Sequence, residues 1–253
     1  MAQQPTRNLE HEHQPVRIRE RIQAGDGGHL GDAMLGAIDG AITSFAVVAG
    51  AVGGGFGSLV IVILGFASLL ADGFSMAVSN YLGTKSDAES ADRAHREERR
   101  HIEEIPQGQR EELRQIFADK GFSGETLECM VDAIAGDPDL WAKTVVQEEL
   151  GLHPGANASP LHAGGATFLA FLIAGLIPLL PFVVPMLSPQ VAFGISIGAT
   201  SIAFLAIGMI KGRVLEQPML RSGLETLLIG GGAAALAYGV GALLRAWIGA
   251  GLA

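Results

Sequence analysis

Residues 58–105 read SLVIVILGFASLLADGFSMAVSNYLGTKSDAESADRAHREERRHIEEI, and no proline interrupts the chain there until Pro106. Up to Leu82 the run is apolar except for Asp72, Asn80 and a few hydroxyls, whereas beyond it charges dominate. A single helix that begins in hydrocarbon and continues into water accounts for both halves. At about 1.5 Å per residue, the part beyond the membrane extends roughly 30 Å.

Working outward, four further apolar stretches come close to the roughly twenty helical residues that a hydrocarbon core of about 30 Å requires. With 58–82, the predicted spans are 31–52, 163–186, 190–210 and 223–247. Gly53, Gly54, Gly55 and Gly57 separate the first two, and Pro185, Ser188 and Pro189 make the turn between the third and fourth. The expected fold is an all-α membrane protein, with five transmembrane helices and a cytoplasmic helical metal-binding domain inserted between the second and third spans. Its expected divisions are a cytoplasmic tail at 1–30, spans one and two at 31–82, the insert at 83–161 and the last three spans at 162–253.

Basic residues orient the chain. The tail holds Arg7, Arg17, Arg19 and Arg21, and the fourth connection holds Lys211, Arg213 and Arg221. Nine more lie in the insert, and only Arg245 falls on the opposite side. The excess places the N-terminus, the insert and the fourth connection in the cytoplasm, with the C-terminus outside a cell membrane. The first thirty residues have no apolar core of the kind a cleavable signal needs and read as a cytoplasmic tail. His11, Glu12 and His13 in it are expected to be solvated.

The net charge of −9 comes mostly from residues 84–162, where 17 Asp and Glu face nine Lys and Arg. Such an acidic segment disfavours nucleic acid and suits cations. The single cysteine, Cys129, excludes an internal disulfide and is expected to pack among its apolar neighbours. After the long helix, the insert should form helices over 107–120, 124–135 and from Pro138 to Leu150, closed by Gly121, Gly136 and Gly151. Asp137 is placed as the N-cap of the last.

Carboxylates cluster at Glu97, Glu98, Glu103 and Glu104, at Glu111 and Glu112, and at Glu148 and Glu149. Glu97 or Glu98, His101 and Glu104 share one helical face and make a row of oxygen and nitrogen ligands. A solvated face, with Arg96, Arg99, Arg100 and Arg110 as partners, fits the same spacing. Within the spans, Asp39 lies on one face with Asp32 and Thr43, while Asp72 is followed by Ser75, Met76 and Ser79. Charged groups at membrane depth generally mark pathways. A thioether beside carboxylates favours softer first-row cations such as ferrous iron, although Met76 equally suits core filling. Small residues at Gly36 and Gly40, Gly194 and Gly198, and Gly230 to Ala235 suit either packing within the chain or a dimer seam.

These residues resemble the vacuolar iron transporter family along nearly the whole chain after about Leu30. The most specific pieces are GAIDGAITSF from Gly36 to Phe45 and ADGFSMAVSNYLGTKS from Ala71 to Ser86, followed by KGF at Lys120 to Phe122 and EELGL at Glu148 to Leu152 after Trp141. The resemblance implies a five-span homodimer in the lipid bilayer that exchanges divalent iron or manganese for protons, with cobalt and zinc as further candidate cargo and no resident cofactor. It places the pathway on Asp39 and Met76 and the insert's ligands on Glu98, Glu112 and Glu149. His101, Glu104 and Glu148 are added as candidate ligands from their positions, and Asp72 as a pathway carboxylate one turn after Ser68. Ser68 stands where the better-known eukaryotic pattern has a membrane glutamate, His101 and Gln109 where it has insert glutamates, and Val145 and Val146 where it has methionines.

Two other classes fit parts of the pattern. Glu98 and His101 repeat the Glu-x-x-His spacing of di-iron carboxylate oxidases, but such sites need that motif on two helices. A membrane-anchored metal sensor or store that never conducts would leave Asp39 and Met76 dispensable. The transporter is the reading that uses every cluster, and it carries no enzymatic activity.

Overall fold

The computed structural model describes residues 14, 29–153 and 159–251, with side chains to residue 249. His11, Glu12 and His13, and residues 154–158 of the linker, lie outside the described residues. Among those described there are eight α-helices, one 3-10 turn and no strand. They are α1 (Leu30–Gly53), α2 (Ser58–Glu104), α3 (Pro106–Asp119), α4 (Gly124–Ala135), α5 (Pro138–Glu149), α6 (Pro160–Leu176), α7 (Pro189–Val214) and α8 (Met219–Gly251). Two compact units result: one contains Gly27–Tyr81 and Leu161–Ala253, and the described part of the other lies within Leu82–Pro160.

In the first unit, α1, α2, α7 and α8 are long and apolar enough to cross a membrane, whereas α6 has 17 residues. The expected span at 163–186 is thus not helical throughout. Pro178 lacks an amide donor and its ring opposes the carbonyl of Ala174, so the helix ends at Leu176 and resumes as a 3-10 turn over Leu180–Val183. The break is buried and held from α7, where Ser196 Oγ donates to the Pro178 carbonyl at 2.8 Å. The absence of side chains lets helices close up: a Cβ on Gly36 or Gly40 would run into the Thr167 or Phe171 backbone of α6. Gly230 likewise receives the Phe204 ring, so these glycines serve packing within the chain, while Gly194 and Gly198 face open space. Phe45, Phe171, Phe204, Val48, Ile61 and Leu179 form the buried core.

In the second unit, Ile102 of α2 meets Leu113 and Phe117 of α3, Leu127 and Val131 of α4, and Trp141, Ala142 and Val145 of α5. Each short helix contributes one apolar face. Asp137 caps α5 as its sequence position implies, with Oδ1 accepting from the amides of Asp139 at 2.9 Å and Leu140 at 3.3 Å. Gly121 (φ +93°) and Gly151 (φ +64°) adopt the left-handed conformation after their helices. Gly136 stays right-handed at φ −68°. Cys129 is exposed rather than packed, because the α4 core face is taken by Leu127 and Val131.

Candidate metal centres

The carboxylates of the insert sort into two groups. On the outer faces they meet cations: Glu97 and Glu104 lie 3.9 and 3.8 Å from Arg100, and Glu111 and Glu128 both pair with Arg114. Arg110 pairs with Asp132, and Lys120 Nζ reaches Glu148 at 2.5 Å. Glu104 and Glu148 are therefore engaged by surface cations. The Glu128 carboxyl is held below its ordinary range by the Arg114 hydrogen bond.

Glu98, Glu112 and Glu149 behave differently. They come from α2, α3 and α5. Glu112 shares a hydrogen bond with Glu149 and feels the charge of both Glu149 and Glu98. Burial first, then these like-charged neighbours, push its carboxyl up to about 7. Gln109 Nε2 opposes the shift by donating to Glu112 Oε2 at 2.6 Å. His101 Nδ1 lies 3.5 Å from Glu98 Oε1, one helical turn along α2. Glu98 Oε2 and Gln109 Oε1 are buried without hydrogen-bond partners. Buried acceptors without donors are costly, and oxygen atoms so placed suit a hard or borderline cation. Among the described residues no three His, Cys, Asp or Glu side chains are gathered tightly enough to enclose a metal ion as they stand. Val145 and Val146 are fully buried.

In the other unit, Asp39 is exposed on α1 and accepts a 3.5 Å hydrogen bond from Thr43 Oγ1. Asp72 of α2 lies near enough for its charge to act on Asp39, and it accepts from Ser68 Oγ at 2.5 Å. Ser68 thus holds the carboxylate one turn away. Met76 is partly buried and packs against the cluster of Val48, Ile61, Leu69 and Phe171. Asp32 turns to different partners, accepting from Asn80 Nδ2 at 2.8 Å and lying 3.2 Å from His29 Nδ1. Asn80 also donates to Thr167 Oγ1 at 2.8 Å, so one amide links α1, α2 and α6. Sequence reasoning passed over Asn80 and Thr167, although an amide inside an apolar run is itself a signal of an interhelical contact. The His29 and His162 rings stack 5.7 Å apart beside this cluster.

The sequence pattern of the VIT family matches residues 30–242. The chain belongs to the VIT family. Among its relatives are Vacuolar iron transporter 1 of Oryza sativa subsp. japonica, 30% identical over 91% of this chain and 89% of that protein, and a Vacuolar iron transporter of Centaurea cyanus, 31% identical over 83% and 85%. A Vacuolar iron transporter of Toxoplasma gondii is 30% identical over 87% of this chain and 75% of its own length. The matched region holds both carboxylate groups. With four apolar helices of spanning length, this VIT-family chain is a multi-pass membrane protein of a transporter family, not an enzyme.

Proposed function

We propose that the protein carries divalent iron, with manganese as second cargo, out of the cytoplasm in exchange for protons, as a homodimer of five-span chains. The observation that carries this is the pairing of Asp39 and Asp72 on neighbouring apolar helices, with Asp39 exposed on the surface of the single chain. Lipid is a poor neighbour for a carboxylate, so a second copy supplies the cover, and two copies bring four carboxylates to one axis. Met76 follows Asp72 by one turn of α2, and turning it from the apolar cluster would add a thioether that favours iron and cobalt.

In the same scheme α6 and its 3-10 turn together complete a fifth crossing. The N-terminus, residues 83–161 and the loop holding Lys211, Arg213 and Arg221 face the cytoplasm, and the C-terminus lies outside. Glu98, Glu112 and Glu149 collect the cation on the cytoplasmic side, with His101 adjoining. Glu104 and Glu148, paired with Arg100 and Lys120, serve as outer ligands. A carboxylate can hold either a proton or a metal ion, which is the chemical basis for exchanging one for the other.

Flux of iron, manganese, cobalt and zinc into proteoliposomes under an imposed pH gradient tests the proposal. Transport that requires the gradient and is lost in Asp39→Asn supports it. Metal binding without flux would instead indicate a sensor or store.

A further inference from the structure

Helices α1, α2 and α8 enclose a cavity of about 690 Å³ that shares no residue with the carboxylate groups described above. Its walls are apolar, with Val47, Phe56, Leu64, Val240 and Leu244 among them, and Arg245 is the only charged residue lining it. The Arg245 guanidinium lies over the turn between α1 and α2, where a Cβ on Gly55 would come within 2.6 Å of it. Among the described residues Arg245 has no hydrogen-bond or ion-pair partner. From Asp39 to the end of α1 at Gly53 is about 21 Å at the helical rise, so the cavity belongs to the opposite end of the span.

An apolar cavity of this size, ending in one unpaired cation at the edge of a spanning segment, is complementary to an anionic amphiphile. A water-soluble anion would satisfy Arg245 and leave the apolar walls uncovered. A zwitterionic lipid would fill the cavity but bring its own positive charge to the arginine. We infer that the groove between α1, α2 and α8 is a binding site for an anionic phospholipid, with the phosphate on Arg245 and an acyl chain along Val47, Leu64 and Leu244. The planar guanidinium matches two phosphate oxygens at once, which lysine cannot do.

The test uses the full chain in detergent, with Ile248→Trp as reporter at the cavity wall in a Trp247→Phe background. Trp141, buried in the core of the insert, supplies the unquenched baseline. Dibrominated phosphatidylglycerol should quench the reporter several-fold more than dibrominated phosphatidylcholine at equal mole fraction. Arg245→Gln should equalise the two lipids, and Arg245→Lys should retain part of the preference. Independently of any variant, the unmodified protein should melt at a higher temperature with phosphatidylglycerol than with phosphatidylcholine. Equal quenching by both lipids with Arg245 present would overturn the inference. So would quenching by neither, the result expected if a second copy of the chain occupied the groove, or identical melting in the two lipids.

Discussion

The raised carboxyl of Glu112 makes metal binding by the insert depend on pH in a window where ordinary carboxylates are silent. With its pKa at about 7, about 9% of Glu112 is ionised at pH 6, about 50% at pH 7 and about 91% at pH 8. A cation that uses this carboxylate must displace its proton, so apparent affinity should rise about fivefold from pH 6 to 7 and less than twofold from 7 to 8. The sign for folding is opposite. A carboxyl raised above its unfolded value near 4.5 contributes stability that is fully present below about 4.5 and lost as pH climbs through about 7. The metal-free protein therefore loses this contribution where it binds metal best. Titration calorimetry with manganese on the full chain in detergent, in an Asp39→Asn background to silence the membrane carboxylates, measures the affinity. Repeating it in two buffers of different ionisation enthalpy counts the protons released, about half a proton from Glu112 at pH 7. Glu149→Gln removes both the shared hydrogen bond and the repelling charge. It should move the window to lower pH and, by deleting a ligand, weaken binding at pH 8 by at least about tenfold. An affinity that is flat between pH 6 and 8, or a Glu149→Gln profile identical to that of the parent, would refute the reasoning.

Asp39→Asn preserves shape but removes the charge and should abolish pH-driven flux, whereas Met76→Leu should reduce iron and cobalt flux more than manganese flux. If Asp72→Asn retains full flux, Asp72 serves only as the partner of Ser68 and the proton carrier lies elsewhere. Gly40→Ala forces a methyl group against the Phe171 backbone and should cost about 1–3 kcal/mol, read as a lower melting temperature in detergent. Gly194→Ala meets open space and should be neutral or stabilise by up to about 1 kcal/mol, so equal effects of the two would contradict the packing described. Cysteine labelling near residue 247 from the outside only, and of residues 84–161 from the cytoplasm only, is expected; the reverse would sink the proposed orientation.

Periodicity and glycine placement made the helices legible. The ends of α3 and α4 and the Asp137 cap follow from local chemistry that needs no tertiary contact. The break after Leu176 was marked by Pro178 and Pro181, but mean hydropathy overrode them, because a window of twenty residues does not register a missing amide. Site residues divide on the same principle. Asp39 and Asp72 stand out because any charge in an apolar run is conspicuous. In the insert acids are common, and spacing along one helix cannot tell Glu98 from Glu97. That choice is made by which side chains α3 and α5 bring opposite, so Glu104 and Glu148 turned to cations while Glu112 and Glu149 turned to one another.

The hydroxyl of Ser196 has a consequence for how the chain assembles. A bilayer offers no water to a carbonyl released by a broken helix, so each crossing segment normally has to complete its own hydrogen bonds before neighbours arrive. α6 cannot do so: its helix stops at Leu176, and the Pro178 carbonyl finds its donor on α7. The smallest self-sufficient piece in this part of the chain is therefore the pair of α6 and α7, joined by the Leu180–Val183 turn. During insertion α6 has to wait near the interface, or in the shelter of the insertion machinery, until residue 196 has emerged. Ser196→Ala would then slow maturation of the chain in the membrane even where the finished protein tolerates the change.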